Sequence, residues 1–594
     1  MKANTSRKKS PSRSVAMVDT WDVLLVSLSR VFKAGIQTCF SASFPVVPSL
    51  FVKPPQTEMG DLAFVCFPLA AIAKKSPNVI ATELAAQIKT SKTLAKLPIE
   101  SITAEGPYIN IVLKSDALAK TLLPEILSQS NGINTTSKNK KHIMVEFSQA
   151  NTHKAFHIGH VRGTVLGESI ARILETTGNS VVRANYQGDS GMHVAKWIWC
   201  YQKYHSSEPL RKEESWIASI YVDAVKKLAE TPDFQKEVEE INLKLDEGSD
   251  AKLNKLWQVT RQNSLDAFEP IYKDLSTHFD EYFFESHLEK QGKQLVKKLV
   301  GMKIAKISNG ATIMDLEKYN LGVWVLLRSD GTVLYSTKDL ALAETKFKKH
   351  KIDTAIYVVG SEQSLHLQQL FKTLSLMKFK QAKNCHHVPV YEVRLPTGKM
   401  SSRTGDNILY SDFKKELTSH MKDELKKRYS DLSEKELDHR ALTISIAALK
   451  YSMLKQDAPR PIVFIKEEAL RFEGDTGPYL LYTYARFHSI LTKGKYHAQK
   501  KWETDYIFTE EKNLLTQLAV FPQEVSKAAQ EYNPAIIARY AYSLAKCLNE
   551  YYHTVPILKA HDEERTPRMI VIDATLRTMQ QALKLLGITT LEQM

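Results

Sequence analysis

Five consecutive residues carry the strongest chemical signal in the sequence. They are Phe156, His157, Ile158, Gly159 and His160, which follow a predicted strand and begin a predicted helix. Two imidazoles beside the positive end of a helix dipole are suited to bind phosphate oxygens as charge develops on them. Gly159 has no side chain, so an adenine ring could lie against the backbone. The segment predicts a nucleotide-phosphate site, although two spaced histidines alone are common in cores and on surfaces.

A second segment suited to phosphate lies far downstream, at residues 398–405. Lys399 and Arg403 supply mobile cations, two serines supply hydroxyl donors, and flanking glycines allow the loop to close over a triphosphate. On its own this segment would be a solvated basic turn. Together with the histidine segment it indicates a loop that covers the phosphates of ATP.

The elements that must position these residues read as a parallel α/β unit. A strand at 142–148 leads through a glycine-containing turn to a helix at 161–176 and a second strand at 181–186. Strand, crossover helix and strand begin a doubly wound, Rossmann-type nucleotide fold. Later strands are predicted at residues 312–315, 323–328, 333–336, 355–360 and 388–394.

The rest of the chain divides around this unit, so the predicted fold class is multidomain α/β. The predicted segments are a disordered basic tail at 1–18, a small N-terminal α+β domain at 19–127, a linker at 128–141, a catalytic domain at 142–413 with a helical insertion around 203–300, and an all-α helical bundle at 414–594. The N-terminal domain is expected to contain helices at 19–40 and 77–88 and a strand at 108–113, on the basis of their apolar periodicity.

Composition narrows the class of protein. The net charge is +15 with 81 basic and 66 acidic residues, which suits a polyanionic partner such as nucleic acid. Five cysteines without a CxxC pair argue against a disulfide framework or a zinc ribbon, so we expect a reducing cytoplasm and no protein metal site. We read the Cys385-His386-His387 run as a strand with incidental histidines. No apolar run reaches the ~18 residues of a membrane span, so no membrane partner is expected.

The HIGH segment at 157–160 followed by KMSSR at 399–403 is similar to the arrangement of class I aminoacyl-tRNA synthetases. Within that class the chain resembles the arginyl-tRNA synthetases. The further segments that carry this resemblance are EFSQAN at 146–151 with Lys154, NYQGD at 185–189, YSTKDL at 335–340, QSLH at 363–366 and DTGPYL at 475–480. It implies ATP-dependent activation of L-arginine and its transfer to tRNA(Arg), with Mg²⁺ accompanying ATP and tRNA bound before efficient activation.

The resemblance also implies roles for individual residues. The catalytic residues implied are Lys154, His157, His160 and Lys399. The ATP-binding residues implied are Phe156, His157, Gly159, His160, Lys399, Met400, Ser401 and Ser402. The arginine-binding residues implied are Glu146, Ser148, Gln149, Ala150, Asn151, His160, Tyr335, Asp339 and Gln363. The tRNA-binding residues implied are Tyr108 and Asn110 in an elbow-binding N-terminal domain, and Tyr479, Tyr482 and Met594 in an anticodon-binding helical domain.

The choice of arginine also has a physical rationale. A guanidinium is planar, always charged and offers a fork of donors, so its pocket needs a carboxylate beside a planar or hydroxyl partner. Tyr335 and Asp339 are four residues apart and would face the same side of a helical turn. From the residues alone, Tyr335 could equally be a core tyrosine at a strand end, and Asp339 a helix N-cap.

The chain departs from the family pattern at several positions. Ser402 stands where the usual KMSKS loop has its second lysine, and the resemblance implies that Lys154, just before the HIGH segment, is the compensating cation. Ser190 and His193 replace a common Trp and Gln near the floor of the active site. Leu481 and Tyr484 replace a Gln and a His, so anticodon contacts in that helix are not carried over in detail.

Two alternatives remain beside a cytoplasmic, monomeric arginine enzyme. One is a HIGH-type nucleotidyltransferase acting on a small acid, such as a pantothenate synthetase, but such chains are shorter and lack a helical RNA-binding domain. The other is a non-catalytic synthetase paralogue that binds RNA, against which the intact residues Lys154, His157, His160, Tyr335 and Asp339 argue.

Overall fold

The computed structural model of the protein describes residues 20–52, 54, 57–128, 140–396, 398–399, 409–498 and 505–594. The chain divides into two compact units. The first comprises residues 1–138, 498–523 and 559–574, and the second comprises residues 139–497, 524–558 and 575–594.

The first unit is built on a small antiparallel sheet. Its elements are α1 (Thr20–Phe40), β1 (Phe51–Val52), β2 (Leu62–Val65), α2 (Ala70–Ala73), α3 (Pro77–Lys89), β3 (Ile99–Glu105), β4 (Tyr108–Leu113) and α4 (Ser115–Ser128), and the strand order is β1-β2-β4-β3. Phe32, Phe51 and Phe64 pack edge to face or tilted in the core, with ring centroids 4.5–5.3 Å apart. The predicted helices and the strand at 108–113 are present in this unit.

Two later segments of the chain complete the first unit. The backbone N–H of Phe508 donates to Asp116 Oδ1 at 3.0 Å, and Lys512 Nζ lies 3.3 Å from Asp61 Oδ2. Arg568 pairs with Glu510 at 2.8 Å and with Glu564 at 3.0 Å. The predicted division at residue 127 therefore does not account for all of the chain that packs in this unit.

One described helix, over Val23–Phe40, is long and apolar enough to cross a membrane by length and composition. Leu24, Leu25, Leu28 and Phe32 on one face of it are buried within the first unit. A core helix of this kind passes the same test as a membrane span, so the finding is weak evidence for a membrane.

The remaining strands follow in chain order. They are β5 (His142–Glu146), β6 (Ser180–Gln187), β7 (Glu281–Phe284), β8 (Lys306–Ser308), β9 (Ala311–Asp315), β10 (Val323–Leu327), β11 (Thr354–Gly360), β12 (Cys385–Val390), β13 (Val393–Leu395), β14 (Gly398–Lys399) and β15 (Ile462–Val463).

The helices after α4 are mostly long. They are α5 (Ile158–Thr176), α6 (Met192–Tyr204), α7 (Glu214–Glu230), α8 (Gln235–Glu247), α9 (Ala251–Asp274), α10 (Glu289–Gly301), α11 (Tyr335–His350), α12 (Ser364–Leu376), α13 (Tyr410–Arg428), α14 (Glu434–Leu454), α15 (Lys466–Ala469), α16 (Gly477–Lys493), α17 (Lys512–Glu531), α18 (Ala535–Thr554) and α19 (Asp562–Leu585).

A five-stranded parallel sheet in the order β12-β11-β5-β6-β7 forms the centre of the second unit. The chain begins at the central strand β5, moves outward to β6 and β7, and then returns to the other side of β5 with β11 and β12. Ligands of such sheets bind beyond the carboxyl ends of the strands where the winding reverses, which here lies between β5 and β11. The predicted doubly wound fold is confirmed.

Two details of this sheet differ from the sequence-based expectation. Strand β7 lies inside the segment 203–300 that was predicted to be a helical insertion, so the chain returns to the sheet before that segment ends. The predicted strand at 333–336 is wrong, because helix α11 begins at Tyr335. The hydroxyls of Ser336 and Thr337 donate to the carbonyls of Val325 and Leu326 on β10, which fixes the first turn of α11 against that strand.

Candidate active site

The loop after β5 is held in an unusual backbone conformation. Ser148, Gln149 and His153 have φ angles of 78°, 48° and 61°, the left-handed region that side-chain-bearing residues seldom adopt. Such angles cost of the order of 1 kcal/mol each and persist where the surroundings enforce them, which is common at functional sites. Gly167 of α5 lets the loop pack closely against that helix, because a Cβ at this position would lie 2.1 Å from the Phe147 ring.

His157 and His160 form a mutual cap at the N-terminus of α5. Gly159 N–H donates to His157 Nδ1 at 3.1 Å, and His157 N–H donates to His160 Nδ1 at 3.2 Å. The two rings stack with centroids 3.9 Å apart. Because each Nδ1 accepts a hydrogen bond, each neutral ring carries its proton on Nε2 and presents an N–H donor there.

Burial and a nearby cation keep both histidines neutral. Burial, followed by the charge of Lys154, lowers the pKa of His157 to about 4. Burial also lowers the pKa of His160 well below its ordinary value, with His157 and Lys154 acting in the same direction. Both imidazoles are therefore suited to donate hydrogen bonds at neutral pH rather than to carry a fixed charge.

A cavity of about 470 Å³ opens in front of these histidines. It is lined by Asn151, Lys154, Ala155, His157, His160, Ser215, Ala218, Ser219, Tyr221, Val222, Asp223, Lys226, Leu409 and Asp412. Lys154 Nζ lies 5.3 Å from the centre of the Tyr221 ring, which belongs to the insertion helix α7. Burial and the neighbouring charge of Lys196 lower the pKa of Lys154. The lining combines cations, N–H donors and hydroxyls, the groups that bind phosphate.

A second cluster lies where α11 and α12 begin. Asp339 Oδ2 is 2.6 Å from His366 Nε2, and the Tyr335 ring centroid is 4.7 Å from that of His366. Tyr335 is 58% exposed, so its phenol is accessible to a ligand. The predicted pair of Tyr335 and Asp339 thus meets around a histidine that the sequence did not single out for a role.

Asp339 is one of three carboxylates that act together on the neighbouring Tyr186. Burial, followed by the charges of Asp339, Glu285 and Glu146, raises the pKa of Tyr186 well above its ordinary value. Burial also raises the pKa of Glu285 and of Glu146. Such a concentration of negative charge suits a cationic ligand.

Two of these carboxylates are paired with lysines of α11. Glu146, at the carboxyl end of β5, pairs with Lys346, and both side chains are buried. Lys338 Nζ lies 3.3 Å from Glu285 Oε2 and donates to Ser190 Oγ at 3.1 Å. Ser190 thus takes part in the charge network at a position where the family commonly has a tryptophan.

The other residues predicted to bind ATP or arginine differ in their burial and in whether they reach the cavity. Asn151 reaches the cavity, and Gln363 follows β11 at the reversal of the winding. Ala150 and Phe156 are fully buried, with the Phe156 ring 5.2 Å behind that of His160. Ser148 is buried and accepts from Thr164 Oγ1 at 2.9 Å.

His193 contacts the segment after β6, and most of the KMSSR loop lies outside the described residues. His193 Nε2 donates to the carbonyl of Gly188 at 3.2 Å, and burial, followed by Lys154, lowers its pKa to about 3. Met400, Ser401 and Ser402 lie outside the described residues, as does the side chain of Lys399, whose backbone belongs to β14.

The two residues predicted to contact tRNA in the first unit differ in access. Tyr108 is 38% exposed and forms an aromatic pair with the exposed Phe67, their centroids 6.0 Å apart. Asn110 is buried, and its Nδ2 donates to Glu105 Oε2 at 2.9 Å. The exposed aromatic pair, rather than the amide, presents a surface on which a base could stack.

The helical region presents a similar contrast on α16. Tyr482 is exposed, whereas the hydroxyl of Tyr479 accepts from Asn549 Nδ2 at 3.1 Å. Leu481 and Tyr484 are both buried, so neither side chain is accessible where the family has a glutamine and a histidine. Met594 is half-buried at the end of the sequence.

Among the described residues, one group could hold a metal ion: Cys200, His205 and Asp223. His205 Nδ1 lies 2.6 Å from Glu208 and its Nε2 lies 3.0 Å from Asp223. Burial lowers the pKa of His205, but the hydrogen bonds to these two carboxylates outweigh it and leave the pKa raised. An imidazolium between two carboxylates already satisfies these groups, so the geometry does not require a metal.

Glu285, Lys346 and His366 are the site residues that sequence reasoning missed. His366 ends the QSLH motif that begins at the predicted site residue Gln363, and this is the signal that could have found it. Glu285 lies in the segment that was predicted to be a helical insertion, and Lys346 lies in a lysine-rich helical stretch that resembles a solvated face. Only the sheet topology brings Lys346 beside Glu146, 200 residues earlier in the sequence.

Three family models match the chain in succession. Residues 27–113 match the arginyl tRNA synthetase N terminal domain, residues 122–464 match the catalytic domain of class I (R) tRNA synthetases, and residues 480–594 match the DALR anticodon binding domain. Curated relatives are similar along nearly the whole chain. The arginine–tRNA ligase of Bdellovibrio bacteriovorus is 36% identical, covering 93% of this chain and 96% of the relative. That of Halothermothrix orenii is 33% identical, covering 91% and 95%.

Solved structures are similar over the same extent. The arginyl-tRNA synthetase of Thermus thermophilus has a TM-score of 0.81 and 25% identity, covering 97% of this chain and all of that one. The arginyl-tRNA synthetase of Plasmodium falciparum has a TM-score of 0.79, covering 96% and 99%, and its 20% identity supports the fold alone.

Proposed function

The chain belongs to the arginyl-tRNA synthetases, class I ligases that join arginine to tRNA, and from this premise we propose how its residues divide the work. ATP binds in the cavity before α5, with its phosphates near His157, His160 and Lys154. L-Arginine binds beside it, with its guanidinium among Tyr335, Asp339 and Glu285. The observation that carries the proposal is that β5 ends at Glu146, a member of the carboxylate cluster, and that the segment after it supplies Asn151 and Lys154 to the donor-lined cavity.

The first step forms arginyl-adenylate. The α-carboxylate of arginine attacks the α-phosphorus of ATP, one P–O bond forms, and the bond to the departing pyrophosphate breaks. The Nε2–H groups of His157 and His160 donate to the phosphate oxygens, and Lys154 neutralises their charge. Lys399 of the KMSSR loop is proposed as a second lysine that neutralises the charge of the phosphates. No covalent intermediate with the enzyme is required.

The second step transfers arginine to tRNA. A hydroxyl of the 3′-terminal ribose attacks the carbonyl carbon of the adenylate and gives up its proton to a phosphate oxygen of the departing AMP. An ester forms, and AMP leaves with the electrons of the broken C–O bond. Tyr108 with Phe67, and Tyr482 with Met594, are proposed as contacts to tRNA(Arg) in the N-terminal and helical regions. Asn110 and Tyr479 would contribute only after leaving their present hydrogen bonds.

Mg²⁺ is expected to enter with ATP. Asp223 and Asp412 are the carboxylates in the described cavity lining, and Asp223 is already paired with His205. These residues therefore fit an ion held mainly by phosphate oxygens, whose role would be to neutralise the charge of the departing pyrophosphate. The family's part in translation supports a cytoplasmic location, and we propose in addition that the enzyme is a monomer.

The decisive experiment is arginine-dependent exchange between ATP and pyrophosphate, measured with and without tRNA(Arg). We expect exchange with arginine alone among the amino acids, and we expect it to need tRNA. Exchange with another amino acid would overturn the assignment of the guanidinium pocket. Efficient exchange without tRNA would overturn only the proposed order of binding.

A further inference from the structure

We propose that His366, locked in one tautomer by Trp324, is a positioning residue that orients Asp339 and Tyr335 for the guanidinium of arginine. This inference rests on the proposed function, because it assumes that Asp339 and Tyr335 bind the substrate. It adds two residues, on two further elements, that act on the substrate only through others.

The hydrogen-bond chain fixes the tautomer of His366. Trp324 Nε1–H donates to His366 Nδ1 at 3.2 Å, and an indole nitrogen can only donate. His366 Nδ1 must therefore be the acceptor, and the ring proton lies on Nε2. Nε2–H then donates to Asp339 Oδ2 at 2.6 Å. Trp324 and His366 are 4% and 7% exposed, so water competes little for these bonds.

The same imidazole also packs against Tyr335. The two ring centroids are 4.7 Å apart and the ring planes are inclined by 59°. His366 thus touches both residues of the predicted pair, one by a hydrogen bond and the other by ring packing. A change in its position would move a carboxylate and a phenol together.

The neighbouring elements keep the relay in place. Trp324 lies on β10, and the next two residues of that strand accept from the hydroxyls of Ser336 and Thr337 in the first turn of α11. Strand β10 therefore holds the helix that carries Tyr335 and Asp339 as well as the indole that orders His366. Gln369 of α12 donates to the carbonyl of Leu321, which ties the helix of His366 to the segment before β10.

This arrangement has a consequence for specificity. The bond from His366 Nε2–H holds Asp339 Oδ2 at one edge, and it thereby fixes the plane of a carboxylate that can pair with a planar fork of N–H donors. An ammonium group is a point charge and gains less from a fixed carboxylate plane. We therefore expect His366 to improve selection of arginine over lysine-like cations rather than to assist the chemical step.

Paired variants separate the hydrogen bond from the ring. His366→Phe keeps an aromatic ring beside Tyr335 but cannot donate, whereas His366→Gln keeps a donor amide and loses the ring. Trp324→Phe removes the indole N–H together with part of the buried ring volume. His350→Phe is the matched control, because His350 ends α11, the helix that carries Asp339, and contacts a different carboxylate, Glu281, at 3.0 Å.

Steady-state aminoacylation of tRNA(Arg) with varied arginine provides the main readout. His366→Phe should raise the KM for arginine roughly ten- to hundredfold, the scale of a lost hydrogen bond to a charged group, with kcat within about twofold. Trp324→Phe should raise that KM about two- to tenfold, since its bond is between neutral groups. His366→Gln should recover much of the loss, and His350→Phe should match the unmodified enzyme.

Nitrogen-15 NMR of the full chain, labelled at histidine, tests the tautomer independently of activity. The signal that disappears in His366→Gln identifies His366, and we expect its proton on Nε2. A proton on Nδ1 would overturn the inference whatever the kinetics. So would equal losses of kcat and thermal stability in both His366 variants, because those would indicate a purely structural role.

Asp339→Ala distinguishes this inference from the proposed function. If Asp339→Ala leaves the arginine KM unchanged, the proposed pocket is wrong and the inference falls with it. If Asp339→Ala raises the KM for arginine at least a hundredfold while His366→Phe leaves it within about twofold of the unmodified enzyme, the pocket stands and only the positioning role of His366 is rejected.

Discussion

At the residue scale, the neutral state of the two histidines explains why a separate cation is needed beside them. His157 and His160 offer N–H donors, but neither carries positive charge at neutral pH, because burial and Lys154 lower their pKa. Developing charge on a phosphate is better stabilised when donors and a cation act together. Lys154 lines the same cavity and is the described side chain best placed to supply that charge.

We therefore expect Lys154→Ala to lower the rate of adenylate formation by about two orders of magnitude or more. Removing one charge-stabilising group from an active site costs on that scale. Arginine affinity should change little, because the carboxylate cluster is separate from Lys154. Single-turnover adenylate formation with tRNA(Arg) present measures this, and Lys203→Ala, which removes a lysine paired with Glu237, is the control. An unchanged rate would exclude Lys154 as the compensating cation.

The lowered pKa of His157 also predicts how stability depends on pH. The ordinary pKa is 6.5 and the folded value is about 4, so between these pH values the unfolded chain binds a proton that the folded chain does not. Above pH 6.5 the imidazole is mostly neutral in both states and has little effect on the free energy of unfolding. As pH falls toward 4, protonation of the unfolded chain lowers that free energy. Between pH 7 and about 4.5, the free energy of unfolding of His157→Asn, which cannot titrate at this position, should fall by about 2 kcal/mol less than that of the unmodified enzyme.

Urea unfolding at several pH values provides the measurement for His157→Asn. The quantity of interest is the difference in unfolding free energy between variant and unmodified enzyme, because all shared carboxylates cancel in it. His278→Asn, at an exposed position, is the control and should follow the unmodified enzyme. A difference that does not change with pH would show that His157 titrates normally in the folded protein.

At the element scale, helix α5 is held at both ends. Its N-terminal half carries His157 and His160, while its C-terminal half donates to carbonyls at the end of α19. Ser169 Oγ donates to the carbonyl of Leu585 at 2.8 Å, and Arg172 donates to that of Lys584 at 3.1 Å. Lys450 of α14 donates to the carbonyl of Gly587. The end of α19 thus finds partners for its unpaired carbonyls on the catalytic helix and on α14.

Lys450 gives this contact an unusual pH dependence. Burial, followed by the charge of Arg172, lowers its pKa from 10.5 to about 7. Between those values the unfolded chain binds the proton and the folded chain does not, so this residue adds stability as pH rises. Between pH 7 and about 9, the free energy of unfolding of the unmodified enzyme should rise by about 2 kcal/mol relative to that of Lys450→Met.

The prediction for Lys450 is measured by the same difference in unfolding free energy across alkaline pH. Lys455→Met removes a more exposed lysine at the end of the same helix and should show no such trend. A constant difference between the unmodified enzyme and Lys450→Met would mean that Lys450 remains fully charged in the folded protein.

The sequence predicted most elements because their cores repeat with helix or strand periodicity. It failed where tertiary partners override local preference. The residues around Tyr335 are suited to a strand, but the hydroxyls of Ser336 and Thr337 find carbonyl partners on β10 and the helix begins early. Strand β7 is only four residues long and lies between helices, so its pairing with β6 could not be read locally.

The candidate site divides in the same way. Lys154, His157 and His160 are close in sequence, so one motif reveals them and their shared position. The relay through Trp324, Asp339 and His366 spans three elements, and no local spacing connects an indole on β10 to a carboxylate on α11. The Glu146–Lys346 pair joins residues that only the parallel sheet and α11 bring together.

At the scale of the whole molecule, the net charge of +15 bears on how the enzyme meets its largest substrate. Neutralising tRNA phosphates releases counterions, so affinity for tRNA should fall steeply with salt. Arginine and ATP bind within small, partly desolvated sites, where salt screens less. The salt dependence of binding therefore separates long-range attraction for tRNA from recognition in the active site.

The basic residues at the beginning of the sequence are expected to contribute to this attraction. Residues 1–18 contain five cations and no carboxylate side chain, and their structure lies outside the described residues. Removal of residues 2–18 should make the slope of log Kd for tRNA(Arg) against log[KCl] shallower by about one or more, since each phosphate contact contributes about 0.7 to 0.9.

A full-length variant with the five cations changed to serine is the matched control and should shift the slope equally, because charge rather than length is responsible. Filter binding from about 50 to 300 mM KCl measures both. Identical slopes in all three proteins would mean that this segment makes no phosphate contacts, and the positive charge that attracts tRNA would then have to lie within the folded units.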